Sequence, residues 1–165
     1  LFRNQGMRKK YSYEIIGENL RLTDIQAALC LPQLKNYPSL LNARKKNAEY
    51  LSDGLKDLNS LILPKEINGR SHVWHQYTIL LHEEAGVERD YLSERLLKQK
   101  IKTGVFYPNL VFDHQCFTNE KQIILSDLPT ASSISKRCLS LPVHPFLSDG
   151  ELDKIVSTVR SVLKN

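Results

Sequence analysis

Arg21 carries a planar fork of N–H donors two residues ahead of Thr23-Asp24. Such a fork either clamps a carboxylate or phosphate, or pairs with an acidic neighbour near a helix start. His72 and His75 stand three residues apart, a spacing that serves a metal on a helix but puts the rings on opposite faces of a strand. Core packing and edge capping are the reading for these two rings. His144 lies between Pro142 and Pro145, where a ring is fixed in a turn rather than freed for catalysis. Cys30, Cys116 and Cys138 are odd in number, far apart and never spaced as Cys-x-x-Cys. They offer neither a disulfide framework nor a zinc knuckle, and read as small buried thiols in a reducing cytoplasm.

The elements that must position these groups are legible from periodicity. Residues 1–22 carry two glycines and little periodicity, and read as loop with room for a short strand. Thr23-Asp24-Ile25-Gln26 fits a capping box, and Ile25, Ala28, Leu29 and Leu31 follow at helical spacing. Pro32 is expected to break or kink that helix by removing a donor and crowding the preceding turn. A second helix is expected over 39–58, with Leu40, Leu41, Arg44, Ala48, Leu51 and Leu55 on one face. After the turn at Asn68-Gly69, residues 72–81 alternate as a central strand with both faces partly apolar. A helix over 89–100, a strand over 103–107, a helix over 130–137 and a strand over 138–141 complete the pattern. The last helix opens on the capping box Ser148-Asp149-Gly150-Glu151 and packs through Leu152, Ile155, Val156, Val159, Val162 and Leu163. The expected fold is α/β (α+β): a long helical segment, then a small α/β domain whose mainly antiparallel sheet is flanked by helices.

With 165 residues, 41% hydrophobic and 25% charged, the chain has the makings of an ordinary globular domain, able to bury roughly 70% of its unfolded surface. No apolar run approaches the ~20 residues of a membrane span, so no membrane partner is expected. The net charge of +5 includes one short run, Arg8-Lys9-Lys10, which reads as a solvated loop rather than a nucleic-acid surface. The opening residues have no initiator methionine and read as mid-domain sequence, so a fragment is expected.

Three ordered stretches resemble the DegT-type sugar aminotransferases, a branch of the fold-type-I pyridoxal phosphate enzymes. Arg3-Asn4-Gln5-Gly6, followed by the run from Gly17 through Asn19, Arg21, Asp24 and Ala28, is similar to an "R-N-H-G" turn leading to "G-x-N-x-R-(M/L)-x-(D/E)-I-Q-A-A". Gly104-Val105-Phe106-Tyr107-Pro108 is similar to "V-H-Y-P", and Leu139 through Pro145 to "L-S-L-P-(L/V)-H-P". One such motif is weak; their order over the whole chain is specific.

The resemblance implies the C-terminal part of such an enzyme. Residues 1–60 would close the large domain with its connecting helices, and 61–165 would form the small domain. It implies a cytoplasmic homodimer with its sites at the subunit interface, using pyridoxal phosphate to move an amino group from glutamate to a keto-sugar nucleotide, as in polysaccharide biosynthesis. The family's cofactor-anchoring lysine precedes a "G-E-G-G" turn, and nothing here matches either. The chain is therefore expected to be inactive alone and to hold no cofactor covalently. Asn19 matches the asparagine that reaches the partner subunit's cofactor phosphate; otherwise it satisfies a turn ahead of the helix. Arg21 and Tyr107 fall where the family meets substrate, although packing of the Tyr107 ring is the competing use. Phe106 and Phe112 stand where relatives carry histidines, which points to an altered substrate. The alternative is a non-catalytic binding or dimerisation module, or a gene remnant of the same fold. The two differ in whether a lysine-bearing partner polypeptide exists.

Overall fold

Two proline rings lie inside the longest element of the chain, and the helix runs through both. The computed structural model describes residues 1–117 and 128–163. Its contacts divide into two compact units, Leu1–Ser39 and Leu40–Asn165.

In the first unit, β1 (Met7–Lys9) and β2 (Ser12–Tyr13) form a short antiparallel hairpin with a register irregularity. Tyr11 turns the chain with φ +62°. Helix α1 spans Asp24–Leu55 and contains Pro32 and Pro38. Its capping box forms as the sequence predicts: the Thr23 backbone N–H donates to Gln26 Oε1 (2.9 Å), and the Gln26 N–H donates to Thr23 Oγ1 (3.3 Å). The break expected at Pro32 does not occur. The carbonyls that Pro32 and Pro38 leave without a helical donor belong to Ala28 and Leu34, both exposed, so water can satisfy them.

The second unit holds a three-stranded antiparallel sheet in the order β3 (Leu61–Ile62), β4 (Tyr77–Leu81), β5 (Cys138–Leu141). Tyr77 faces Leu141, Ile79 faces Leu139, and Leu61 faces Leu81. Along β4 the fully buried residues alternate with half-buried ones, as a central strand requires. Helices α2 (Arg89–Lys98), α3 (Pro129–Arg137) and α4 (Asp149–Leu163) complete the fold. One core joins α1, α2 and α4 to the sheet through Leu51, Leu55, Leu92, Leu96, Ile155 and Val159. Two short 3-10 turns, Val111–Asp113 and Gln115–Phe117, follow the Tyr107 loop.

Helices α1 and α4 approach closely at Gly54, where a Cβ would lie 2.8 Å from both Val156 methyls. Arg160 reaches across, donating from Nη1 to the Gly54 carbonyl (2.7 Å) and from Nη2 to Asp57 Oδ2 (2.6 Å). Tyr50 donates to the carboxylate of Asp153 on the same pair of helices.

Two strand expectations shrink. Residues 72–76 lie outside β4, because Trp74 adopts φ +48° and its N–H donates to His72 Nδ1 (2.8 Å). The Trp74 ring sits between His72 (4.3 Å) and Tyr77 (5.9 Å), and packing it at 5% exposure overrides the local β propensity. The expected strand over 103–107 reduces to a single bridge: Gly104 N–H donates to the Ser140 carbonyl (3.0 Å) and Ser140 N–H to the Gly104 carbonyl (2.8 Å). Strand β3, by contrast, was not expected; at two residues it carries no periodicity to read. Cys138 is buried as expected, but Cys30 and Cys116 are exposed.

Candidate functional site

The turn that carries Asn19 is shaped by two glycines that leave no room for a side chain. A Cβ on Gly17 would lie 2.2 Å from the Gly6 nitrogen, and one on Gly6 would lie 1.8 Å from the Ile15 carbonyl oxygen. Gly6 also has φ +77°, a conformation that favours glycine. With the backbones in contact, the Arg3-Asn4-Gln5-Gly6 turn bonds to the strand-like run before α1. Gln5 N–H donates to the Glu18 carbonyl (2.9 Å), Glu18 N–H to the Phe2 carbonyl (2.8 Å), and Leu20 N–H to the Arg3 carbonyl (3.0 Å). Asn4 and Asn19 form an antiparallel bridge.

Arg21 has no carboxylate partner among the described residues. Its Nη2 donates to Asn4 Oδ1 (3.2 Å), tying the helix approach back to the turn. Asn4 in turn donates from Nδ2 to the Met7 carbonyl (3.4 Å). The Asn19 side chain is exposed, and its amide has no hydrogen-bond partner among the described residues. Its backbone is thus held on both sides while its donors stay open.

Tyr107 lies in the second unit, 72% exposed, with its ring edge-on to Phe106 at 5.9 Å. The Phe106 ring rests against Gly104, where a Cβ would meet ring carbons at 2.4 and 2.8 Å. Gly104 is held by Ser140, so the loop leaves the sheet edge at a fixed point. Beside it runs an open groove of about 410 Å³, bounded by Arg44 of α1, the His75 segment, Lys102, Phe106 and His144. Arg44 is anchored by Nη1 to the carbonyls of Trp74 (3.3 Å) and His75 (3.5 Å), and Asn47 Nδ2 donates to the His144 carbonyl (2.8 Å). The motif pattern singled out neither Arg44 nor Lys102 for this groove. The adjacency of Lys102 to Gly104 was the one signal present.

The histidines fall outside any metal cluster: no group of three His, Cys, Asp or Glu capable of holding a metal occurs among the described residues. His72 acts as a hydrogen-bond acceptor for Trp74. The Trp74 indole N–H is buried without a partner among the described residues. No described helix is long and apolar enough to cross a membrane. Every lysine among the described residues is exposed.

The solved structures that share this arrangement are fold-type-I sugar aminotransferases, and the chain covers 43% and 41% of two of them. The crystal structure of S. venezuelae DesV in complex with a ketimine intermediate superposes with a TM-score of 0.84 at 30% identity, covering 99% of this chain and 43% of that chain. Residues 1–160 match the DegT/DnrJ/EryC1/StrS aminotransferase family, and the chain belongs to it. It is 35% identical over 162 residues to a dTDP-3-amino-3,4,6-trideoxy-alpha-D-glucose transaminase of Streptomyces venezuelae, covering 97% of this chain and 41% of that protein. It is 31% identical over 154 residues to the lipopolysaccharide biosynthesis protein RfbH of Salmonella typhimurium, covering 93% of this chain and 35% of that protein. The chain thus spans between 35% and 43% of the length of these three relatives. Aminotransferases of this family depend on pyridoxal phosphate.

Proposed function

We propose that these residues work as the C-terminal portion of a pyridoxal-phosphate-dependent aminotransferase that moves an amino group from glutamate to a keto-sugar nucleotide. In this reading residues 1–60 complete the large domain and its connecting helices, and residues 61–165 form the small domain. The working assembly is a cytoplasmic homodimer. The observation that carries the reading is Asn19: an exposed amide, free of intramolecular partners among the described residues, on a turn whose glycines leave no room for a side chain.

The residues present fit one end of the cofactor and not the other. Asn19 can donate its amide to a phosphate oxygen of the partner subunit's cofactor, with Arg21 fixed beside it by Asn4. Arg21 and Tyr107 are assigned to the substrate side. A lysine that anchors an aldehyde cofactor is activated by desolvation or by neighbouring cations. The described lysines are all solvent-exposed, which supports an anchoring lysine on polypeptide outside this sequence. When bound, the cofactor supplies the electron sink for amino transfer; this portion holds and orients. Alone, the chain does not transaminate.

Complementation tests this directly. The chain is combined with the remaining N-terminal portion of a family member, and glutamate-dependent amination of a keto-sugar nucleotide is measured. Activity is expected only in the mixture, and Asn19→Ala should weaken cofactor retention about ten-fold, the equivalent of one charge-assisted hydrogen bond. A stoichiometric, borohydride-stable cofactor adduct on one lysine of the chain alone would overturn the reading.

A further inference from the structure

The segment from Glu66 to His75 is tied to itself by two hydrogen bonds, and His72 takes part in both. Its backbone N–H donates to Glu66 Oε1 (3.0 Å), and its ring Nδ1 accepts from the Trp74 N–H (2.8 Å). We infer that this segment is a proton-operated latch: neutral His72 holds the Trp74 turn closed, and protonating the ring releases the turn together with the anchor of Arg44. The inference goes beyond the aminotransferase reading and does not depend on it.

Acceptor chemistry is the first argument. An imidazole accepts at Nδ1 only while that nitrogen keeps its lone pair, with the ring proton on Nε2. A second proton makes both ring nitrogens donors, so two N–H groups then face each other and the bond to Trp74 is lost. Imidazoles change charge roughly between pH 5 and 8, and His72 is exposed, so protons reach it. The charged groups about the turn are Lys65 and Glu66 on its own loop, with Arg44, Lys45 and Glu49 on α1. Strand β4 brings Tyr77, whose hydroxyl burial holds above the usual tyrosine range. His75, just beyond the turn, is the second imidazole of the segment.

Bistability is the second argument. Trp74 sits at φ +48°, a left-handed conformation that a bulky residue keeps only where its surroundings hold it there. The holders are His72 Nδ1, Arg44 Nη1 on the Trp74 carbonyl (3.3 Å), and the packing of the indole between the His72 and Tyr77 rings. Residues 72–76 carry the alternation of a strand, so an extended backbone is the arrangement to which they relax once the first holder is gone. The indole N–H is buried without a partner among the described residues, and release lets it reach water. The same motion withdraws the Trp74 and His75 carbonyls from Arg44. Arg44 borders the groove beside Gly104, while Trp74 and Glu66 border a second cleft of about 310 Å³, so acid changes the lining of both.

The 165-residue chain contains one tryptophan, so its emission reports on this turn alone. The test follows emission wavelength and acrylamide access from neutral to mildly acid pH, beside an NMR titration of the His72 ring. Intensity is not the readout, since an imidazolium 4.3 Å from the indole quenches it without any motion. Emission is expected to move to the red, and acrylamide access to rise, with the midpoint of the His72 ring. Trp74 amide exchange, corrected for its intrinsic pH dependence, should quicken about five-fold, the equivalent of one hydrogen bond. His72→Asn, whose amide oxygen stands where Nδ1 stood, should keep the neutral-pH form throughout. His72→Phe, which stacks but cannot accept, should show the acid form at every pH. His82→Gln serves as the control and should change nothing. The inference is overturned if emission stays fixed while His72 titrates, if His72→Asn still responds, or if His72→Phe keeps the closed form. It is equally overturned if His75→Gln abolishes the response, or if the amides of Tyr77 through Leu81 lose protection at the same pH, which would mean that the sheet itself unfolds.

Discussion

Replacing Gly17 with alanine should release the Asn19 turn while leaving the sheet and its helices untouched. The added methyl would meet the Gly6 nitrogen at 2.2 Å, the Phe2 oxygen at 2.7 Å and the Gln5 carbonyl carbon at 2.8 Å. All three are backbone atoms, so no flexible side chain can step aside. Reaching the 3.4 Å of ordinary contact requires a separation of about 1.2 Å along the closest of these approaches. The bonds spanning the same gap, from Gln5, Glu18 and Leu20, are 2.8 to 3.0 Å long, so that displacement carries them past hydrogen-bonding range. Three lost bonds at about 1 kcal/mol each put the local loss near 3 kcal/mol. That corresponds to about a hundred-fold faster hydrogen exchange if the turn opens as a unit. Native-state exchange read by NMR supplies the assay. The amides of Gln5, Glu18 and Leu20 should lose protection, while those of Tyr77 through Leu81, in the other unit, keep theirs. Gly150→Ala, where a methyl meets nothing within 4 Å, provides the neutral comparison. Unchanged exchange at Glu18 and Leu20 in Gly17→Ala would refute the steric argument, and loss of protection spreading into β4 would refute its locality.

Two further outcomes follow from the second unit. Gly54→Ala adds helix propensity worth about 1 kcal/mol but drives a methyl into Val156, at a cost of about 1–3 kcal/mol. In combination with Val156→Ala the clash disappears, so denaturation should show favourable coupling of at least about 1 kcal/mol; additive effects would contradict the close helix approach. Hydrogen bonding from the Ser148 backbone, then from its hydroxyl, lowers the Glu151 pKa from its usual 4.5. A carboxylate depressed in the folded state contributes stability above its unfolded pKa and loses it as pH falls through the folded value. The stability gap between the native chain and Glu151→Gln should therefore be present at neutral pH, shrink as pH falls below the usual 4.5, and close once the folded carboxylate is protonated. Ser148→Ala should move the Glu151 titration, followed by carboxyl NMR shifts, back towards ordinary values.

What the amino-acid order settles alone is whatever rests on near neighbours. Both capping boxes formed because a hydroxyl and a side chain three residues on need only each other's backbone. The helices and the central strand followed their apolar period, and the ordered motifs identified the family because they run in sequence. Even so, local rules failed where distant groups intervened. Pro32 did not end its helix, since the carbonyl it frees can be solvated. Trp74 left the strand because burying a large ring between His72 and Tyr77 outweighed the preference of its own backbone. Only the tertiary structure could bring Gly17 onto Gly6, give Arg21 to Asn4 rather than to an acid, and leave the Asn19 amide without a partner among the described residues. It alone collected Arg44, Lys102 and His144, which are remote from one another in sequence, along one groove. The physical reason is range: a cap or a period is decided within a few residues, whereas steric exclusion and the pooling of charge depend on which remote segments the core has brought together.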